Sequence, residues 1–307
     1  MAPRPSSLSF GGQDHVGGGD EQPSPTGPGE ILVLVQACGL NHVEHALSSG
    51  AMSLSVPGAR YICGMDAAGT VFAAGDGVAR FTVGDEVFGH FPAASWAWVQ
   101  APCARMTAEG PHVERRPEGL DPVAAVALAG GGLIAKTILR AAELRPGQTA
   151  LVIGATSRTG TLLVGLLAEA GAHVIAGATP EDEVYVRSLG AADTVPYTTA
   201  KPVADALASH PDVDLLVDLV SFGEPYFIIA AARHGTIVTA TPGAEGPGIP
   251  RIEISAQPGD LAALAQRALD GPQPVEIAHV HRLEKIRHAL PANRDPATQP
   301  ALALASY

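Results

Sequence analysis

Apolar and polar positions follow two regimes along the chain. From residue 30 to about residue 120, short apolar runs of strand length are punctuated by glycine and proline: Glu30–Ala37, Ala67–Ala73 and Glu86–Gly89, with Pro28-Gly29 turning into the first. That spacing predicts a small, irregular β-domain. From Asp121 the pattern changes to an Ala-rich stretch ending in Gly130-Gly131-Gly132, a helix to about Leu144 and a turn at Arg145-Pro146-Gly147. Four apolar strands then alternate with helical segments: Ala150–Ile153, His173–Ala176, Leu215–Leu219 and Thr236–Ala240. Alternation of this kind predicts an α/β, doubly wound parallel sheet whose strands are covered on both faces. Near the end, Val275–Val280 reads as a strand, Leu283–Leu290 as a helix and Ala301–Ala305 as a strand returning to the β-domain. The expected domains are therefore 1–120 with 273–307, and 121–272. Residues 1–27 are rich in turn formers; Leu8–Phe10 is a candidate edge strand in a stretch expected to be partly disordered.

The most informative stretch is Gln148–Gly160, where an apolar strand meets Gly154, crosses Ala155, Thr156, Ser157, Arg158 and Thr159, and reaches Gly160 before a buried helix from Thr161 to Gly171. A strand, tight turn and helix of this kind place backbone N–H groups and the positive end of the helix dipole where a phosphate can sit. Gly154, Ser157 and Gly160 occupy the three small positions of a glycine fingerprint whose middle member has become serine. The β-α-β context points to a dinucleotide; two glycines in such a turn also occur without any ligand.

Composition narrows the partners. The 307 residues carry 31 acidic and 19 Lys or Arg side chains, a formal charge of −12, with no basic run. Nucleic acid and anionic membranes are poor expectations for such a surface. Cys38, Cys63 and Cys103 show no paired spacing, so neither a disulfide framework nor a sequence-local zinc lobe is indicated. No apolar stretch reads as a membrane span with the right flanks, and the N-terminal residues do not resemble a signal peptide, which leads to an expected cytoplasmic location.

Landmarks now accumulate in a fixed order: Pro-Gly-Glu-Ile-Leu-Val (28–33), Gly-Leu-Asn (39–41), Gly-Met-Asp-Ala-Ala-Gly (64–69), Phe-x-Val-Gly-Asp-x-Val-Phe-Gly (81–89), Leu-x-Pro-Gly-Gln (144–148) and Ser-Leu-Gly-Ala-Ala-Asp (188–193), then Val213-Asp214 and Asp218. Through them the chain resembles the medium-chain dehydrogenase/reductase superfamily, in its zinc-free quinone oxidoreductase and enoyl reductase branch. The resemblance implies a GroES-like catalytic β-domain, a Rossmann domain, an active site in the cleft between them, and a homodimer.

Zinc alcohol dehydrogenases of that superfamily place Cys and a His-Glu pair where this chain has Asn41, Met65 and Asp66. Met65 and Asn41 lack the thiolate and imidazole of a tetrahedral site, and His42 with His45 makes only a pair, so no catalytic metal is expected. Reduction without a Lewis acid suits a quinone or an α,β-unsaturated carbonyl compound, an aromatic or conjugated small molecule. Such chemistry needs orientation, a hydrogen bond to the carbonyl oxygen and a proton source. By resemblance Asn41 lies near nicotinamide and substrate; an Asn capping the following segment is the alternative. Tyr61 is a candidate donor or a core ring with its hydroxyl at the rim. Trp96, with Trp98, either walls the substrate or packs in the β-domain. Lys136 is a candidate near the nicotinamide, or a solvated lysine on a helix face.

The end of the second strand selects the cofactor, because a carboxylate there accepts from the ribose 2′-hydroxyl. The residues there are Gly177, Ala178 and Thr179, and with no carboxylate at Gly177 to repel a 2′-phosphate the expected cofactor is NADPH. Against this, Glu181, Asp182 and Glu183 follow closely, and only Arg158 or Arg187 stands in range as a phosphate partner. Acids after Pro180 also suit the first turn of a helix. A second function stands beside the reductase: the same fold without hydride chemistry, acting as a cofactor-independent lyase or cyclase or as a ligand-binding protein, as the altered turn and the missing Thr near Gly131–Ile134 suggest.

Overall fold

The structure is a computed structural model that describes residues 6–8, 16–18, 26–40, 61–62, 65–90, 99–100, 103–108, 110–196, 212–220, 236–240, 251–271, 277–282 and 301–305. The chain divides into two compact units, one built mainly from Met1–Gly130 and Gln257–Arg294 with the C-terminal residues, the other from Gly131–Ala256.

Among the described residues of the first unit, the strands before residue 122 are β1 Ser6–Leu8, β2 Val16–Gly18, β3 Glu30–Leu40, β4 Tyr61–Ile62, β5 Asp66–Ala74, β6 Glu86–His90, β7 Val99–Gln100, β8 Cys103–Thr107 and β9 Val113–Arg115. The helix α1, Pro122–Ala142, follows. β1 pairs antiparallel with β2 and β4, so two short strands form within a stretch expected to be partly disordered, and the edge strand lies two residues before its expected place. β3 is the organising strand, antiparallel to β5 and β8. Its Ile31, Leu32, Val33 and Val35 are buried while Leu34 is exposed, so most of the strand is covered. Phe81 and Phe88 fill the core beside Val71 and Val87.

The glycine triplet does not end a segment. Helix α1 runs straight through Gly130, Gly131 and Gly132, although each glycine costs a helix about 1 kcal/mol against alanine. All three are buried, and a Cβ would stand 2.6 Å from Asp66 Oδ1 at Gly130 and 3.1 Å from Arg158 Cγ at Gly131. Pro122–Ala142 is also long and apolar enough to cross a membrane by length and composition, a match the sequence reading did not anticipate; it is mostly buried within the protein, as a core helix is. The division between units falls inside this helix.

The second unit contains β10 Thr149–Ile153, α2 Arg158–Glu169, β11 His173–Ala178, a 3₁₀ turn Pro180–Asp182, α3 Glu183–Ser188, β12 Asp193–Pro196, β13 Leu215–Asp218 and β14 Thr236–Thr239. Its five strands are parallel in the order β12-β11-β10-β13-β14, which puts β10 at the centre with its neighbours' connections leaving in opposite directions. Ala150, Leu151, Val152 and Ile153 are fully buried, as a strand covered on both faces requires. This is the doubly wound sheet expected from the alternating pattern. In the C-terminal part, α4 Asp260–Asp270 is followed by β15 Ile277–Arg282 and β16 Ala301–Ala305, and β16 pairs antiparallel with β3, the return of the chain to the β-domain. The helix expected at 283–290 lies outside the described residues.

Candidate functional site

In the second unit the candidate site is the turn at the carboxyl end of β10. Gly154 ends the strand with φ of 84°, a conformation that L side chains rarely adopt, and its Cα faces Val220 and Leu219 from the segment after β13. The Ser157 N–H donates to the Gly154 carbonyl at 3.0 Å, closing the turn. Helix α2 begins at Arg158, three residues before the expected Thr161, because Ser157 caps it: its Oγ accepts from the Gly160 N–H at 3.1 Å. The serine that replaces the fingerprint's middle glycine is therefore used first by the helix itself. Gly160 is where helix and turn nearly touch, since a Cβ there would stand 2.1 Å from the Gly154 carbonyl oxygen. The fingerprint glycines serve backbone approach, and the positive end of α2 opens at the carboxyl edge of the central strand.

Of the other turn residues, Ala155 is buried and Thr156 and Thr159 are half-buried. Arg158 is half-buried, its stem against Gly131 of α1, where a Cβ would come within 3.1 Å of Arg158 Cγ. Gly131 thus makes room for an arginine at the mouth of the turn. Lys136 is half-buried on the same helix.

The second strand continues past Gly177 to Ala178, so the residue at its edge is Thr179. Gly177 is buried inside the sheet, with Ile153 Cδ1 3.1 Å from where its Cβ would be; an acidic side chain there would be opposed by packing as well as by charge. Thr179 Oγ1 donates to Asp182 at 2.9 Å. The Glu181 carboxyl is held below its usual range by its own backbone N–H and by the Thr179 hydroxyl. Glu183 is lowered in the same way by Arg187 and Thr194. Arg187 is already engaged, with Glu183 Oε1 at 3.0 Å and the Ala192 carbonyl at 2.6 Å. On the other side of β10, Asp218 is fully buried at the end of β13, accepting from the Val220 N–H at 3.1 Å.

The first unit holds a second cluster that sequence reasoning missed. Asp66, fully buried at the start of β5, accepts from the ring of His90 at the end of β6, with Oδ1 and Nδ1 2.7 Å apart. The same oxygen accepts from the Gly130 N–H at 2.9 Å. The antiparallel register pairs Asp66 directly with His90, and this could have been read only from a strand pairing that the sequence leaves open. His112 lies beside His90 with ring centroids 6.4 Å apart. Its imidazole is pushed below its ordinary 6.5 by burial and then by the charge of His90. Among the described residues no three His, Cys, Asp or Glu side chains are grouped as metal ligands.

The backbone of Tyr61 lies in β4, paired with Leu8. Asn41, His42, His45, Trp96 and Trp98 lie outside the described residues.

A pH dependence follows from His112. Because its folded value lies below 6.5, the unfolded chain binds more protons near that pH. Stability should be complete above it and fall as the pH drops through the folded value. Thermal melts between about pH 7 and about pH 5 should show the decline, and His112→Gln should flatten it; an unchanged slope in the variant would refute the assignment.

Residues 27–146 match the alcohol dehydrogenase GroES-like domain family. A quinone oxidoreductase of Pseudomonas aeruginosa is 31% identical over 204 residues, 64% of this chain and 59% of that protein. A mitochondrial NAD(P)H oxidoreductase RTN4IP1 of Danio rerio is 28% identical over 212 residues, 63% of this chain and 54% of that protein. The chain therefore spans little more than half the length of these relatives. Among solved structures, the CurK enoyl reductase superposes with a TM-score of 0.80 at 20% identity over 99% of each chain. The Escherichia coli quinone oxidoreductase complexed with NADPH does so with a TM-score of 0.80 at 18% identity, over 99% of this chain and all of that one.

Proposed function

We propose, from the medium-chain dehydrogenase/reductase fold that this chain shares with these proteins, that it is a zinc-independent oxidoreductase using NADPH to reduce a quinone or an α,β-unsaturated carbonyl compound. One observation carries the reading: a glycine turn so tight that no side chain fits at Gly160 leads from the central strand of a doubly wound sheet into a capped helix. The residues fit a dinucleotide. The backbone of Ala155–Thr159 and the guanidinium of Arg158 would hold the pyrophosphate, and Thr179 would meet the ribose. A nicotinamide bound here would supply the hydride.

NADPH is favoured over NADH because Gly177 presents no carboxylate and because the NADPH-complexed Escherichia coli enzyme shares the fold. Glu181 and Asp182, close to Thr179, press the other way. Asp66 supports the zinc-independent reading, since its Oδ1 already accepts twice. A cytoplasmic location and a homodimer belong to the same proposal.

Fluorescence titration of the purified protein tests it. NADPH should bind saturably with a Kd on the order of tens of micromolar, more tightly than NADH, and chelators should change nothing. Tighter NADH binding would transfer the assignment to that cofactor. Binding of neither at millimolar concentration would remove the reductase and promote the non-redox alternative, a lyase, cyclase or binding protein.

A further inference from the structure

Helix α2 opens with a cation where a helix is better served by an acid. The unsatisfied N–H groups of a first turn make that end of a helix positive, so Asp and Glu stabilise it and Arg does not. The first residue of α2 is Arg158, and no residue of its first turn is acidic. A positive helix end that carries a guanidinium on its first residue suits a bound anion.

The arginine is also held in place. It is half-buried, and three of its atoms surround one point on α1: a Cβ at Gly131 would stand 3.1 Å from Arg158 Cγ, 3.3 Å from its Nε and 3.3 Å from its carbonyl carbon. The stem of the side chain, from Cγ to Nε, therefore lies along α1 at Gly131. Both residues belong to the second unit. Ser157, whose Oγ accepts from the Gly160 N–H at 3.1 Å, fixes the backbone from which the arginine springs. Glycine is a poor helix residue, and at position 131 it gives the helix room for this stem. A long side chain loses rotamer freedom when it grips a ligand; one whose stem already rests on a helix has less to lose.

We propose that Arg158 grips the pyrophosphate of the nicotinamide dinucleotide and that Gly131 is a positioning residue, which affects the cofactor only through Arg158. The proposal rests on the dinucleotide reading above. The guanidinium meets phosphate oxygens with paired N–H donors, while the N–H groups of the turn and first helical residues meet them from the backbone. Helix α1 thereby takes part in cofactor affinity by what it omits, a side chain at position 131.

A double-mutant cycle read by fluorescence titration tests both parts. Arg158→Gln keeps a polar side chain without the charge, and should raise the Kd for NADPH and for NADH alike by about tenfold or more. Binding by the wild-type protein should weaken with salt more steeply than binding by this variant. Gly131→Ala should raise both values about fivefold, because its methyl displaces the arginine by a few tenths of an ångström. In the Arg158→Gln background the same change should alter Kd by less than about 1.5-fold. The Tm of Gly131→Ala should stay within about 2 °C of wild type, since the better helix propensity of alanine offsets the tighter contact, so that a weakened helix does not account for the lost affinity. Equal effects of Gly131→Ala in the two backgrounds would show that the glycine acts through helix packing, and would overturn the positioning role. A loss in Arg158→Gln confined to NADPH would move the contact to the 2′-phosphate and overturn the pyrophosphate assignment. Wild-type binding that Arg158→Gln leaves unchanged would overturn the whole proposal while the dinucleotide reading stands; wild-type protein that binds neither cofactor would remove both.

Discussion

Gly160→Val is expected to abolish nicotinamide binding and to destabilise the second unit. The reason is a backbone contact that leaves no room for adjustment: a Cβ at this position would stand 2.1 Å from the Gly154 carbonyl oxygen and 2.8 Å from Cα and C of Ala155. Neither neighbour is a flexible side-chain end, so helix α2 would have to move away from the turn by more than an ångström. Separation of this kind costs about 3 kcal/mol, and it removes the N–H groups of the helix from the place where a phosphate would meet them. A 2.7 kcal/mol loss is about 100-fold in Kd, and the same titration that measures wild-type binding would register it. The first unit should keep its strand content in circular dichroism. An unchanged Kd would show that the cofactor does not use the turn, and the reductase would lose its principal support.

Gly130→Ala is expected to give the largest stability loss in the first unit. The added methyl would fall 2.6 Å from Asp66 Oδ1 and 2.8 Å from His90 Nδ1, pushing apart a buried carboxylate and the imidazole hydrogen-bonded to it. Leaving a buried carboxylate without its hydrogen-bonded partner costs about 3 kcal/mol or more, which for a unit of this size lowers Tm by roughly 6–12 °C. An ordinary helix position would gain from the same change, because alanine is the better helix former by about 1 kcal/mol. The sign of the Tm shift therefore decides the matter: a higher Tm would mean that the helix yields easily and that the pair is loosely held.

The sequence was most legible where a physical requirement acts on neighbouring residues. The buried run Ala150–Ile153, the glycine turn after it and the alternation of strands with helices led directly to the doubly wound sheet, because period and length are local properties. Helix α2 starts before Thr161 because Ser157, in the sequence only the altered middle member of a fingerprint, acts as its cap, a contact that depends on the backbone of the turn. The triplet Gly130-Gly131-Gly132 suggested a break because glycine's weak helix propensity is local; its burial against Asp66, His90 and Arg158 is tertiary and outweighs propensity. For the same reason the Asp66–His90 pair escaped notice, since 24 residues separate its members and only the register of β5 with β6 joins them.

The central position of β10 has a consequence for motion. A strand bonded to β11 on one side and to β13 on the other, with Ala150–Ile153 fully buried, cannot open by fraying. Its amides should exchange with solvent only when the whole unit unfolds. The turn from Gly154 to Gly160 hangs on this slowest-opening piece, so its N–H groups keep their direction over the lifetime of the folded state. Little ordering entropy remains to be lost there when a phosphate arrives. Adjustment to different ligands then falls to the segment after β11, where Thr179 is held by a side-chain hydrogen bond to Asp182 and Glu181 is exposed. One end of the site is a fixed mould and the other an adaptable rim.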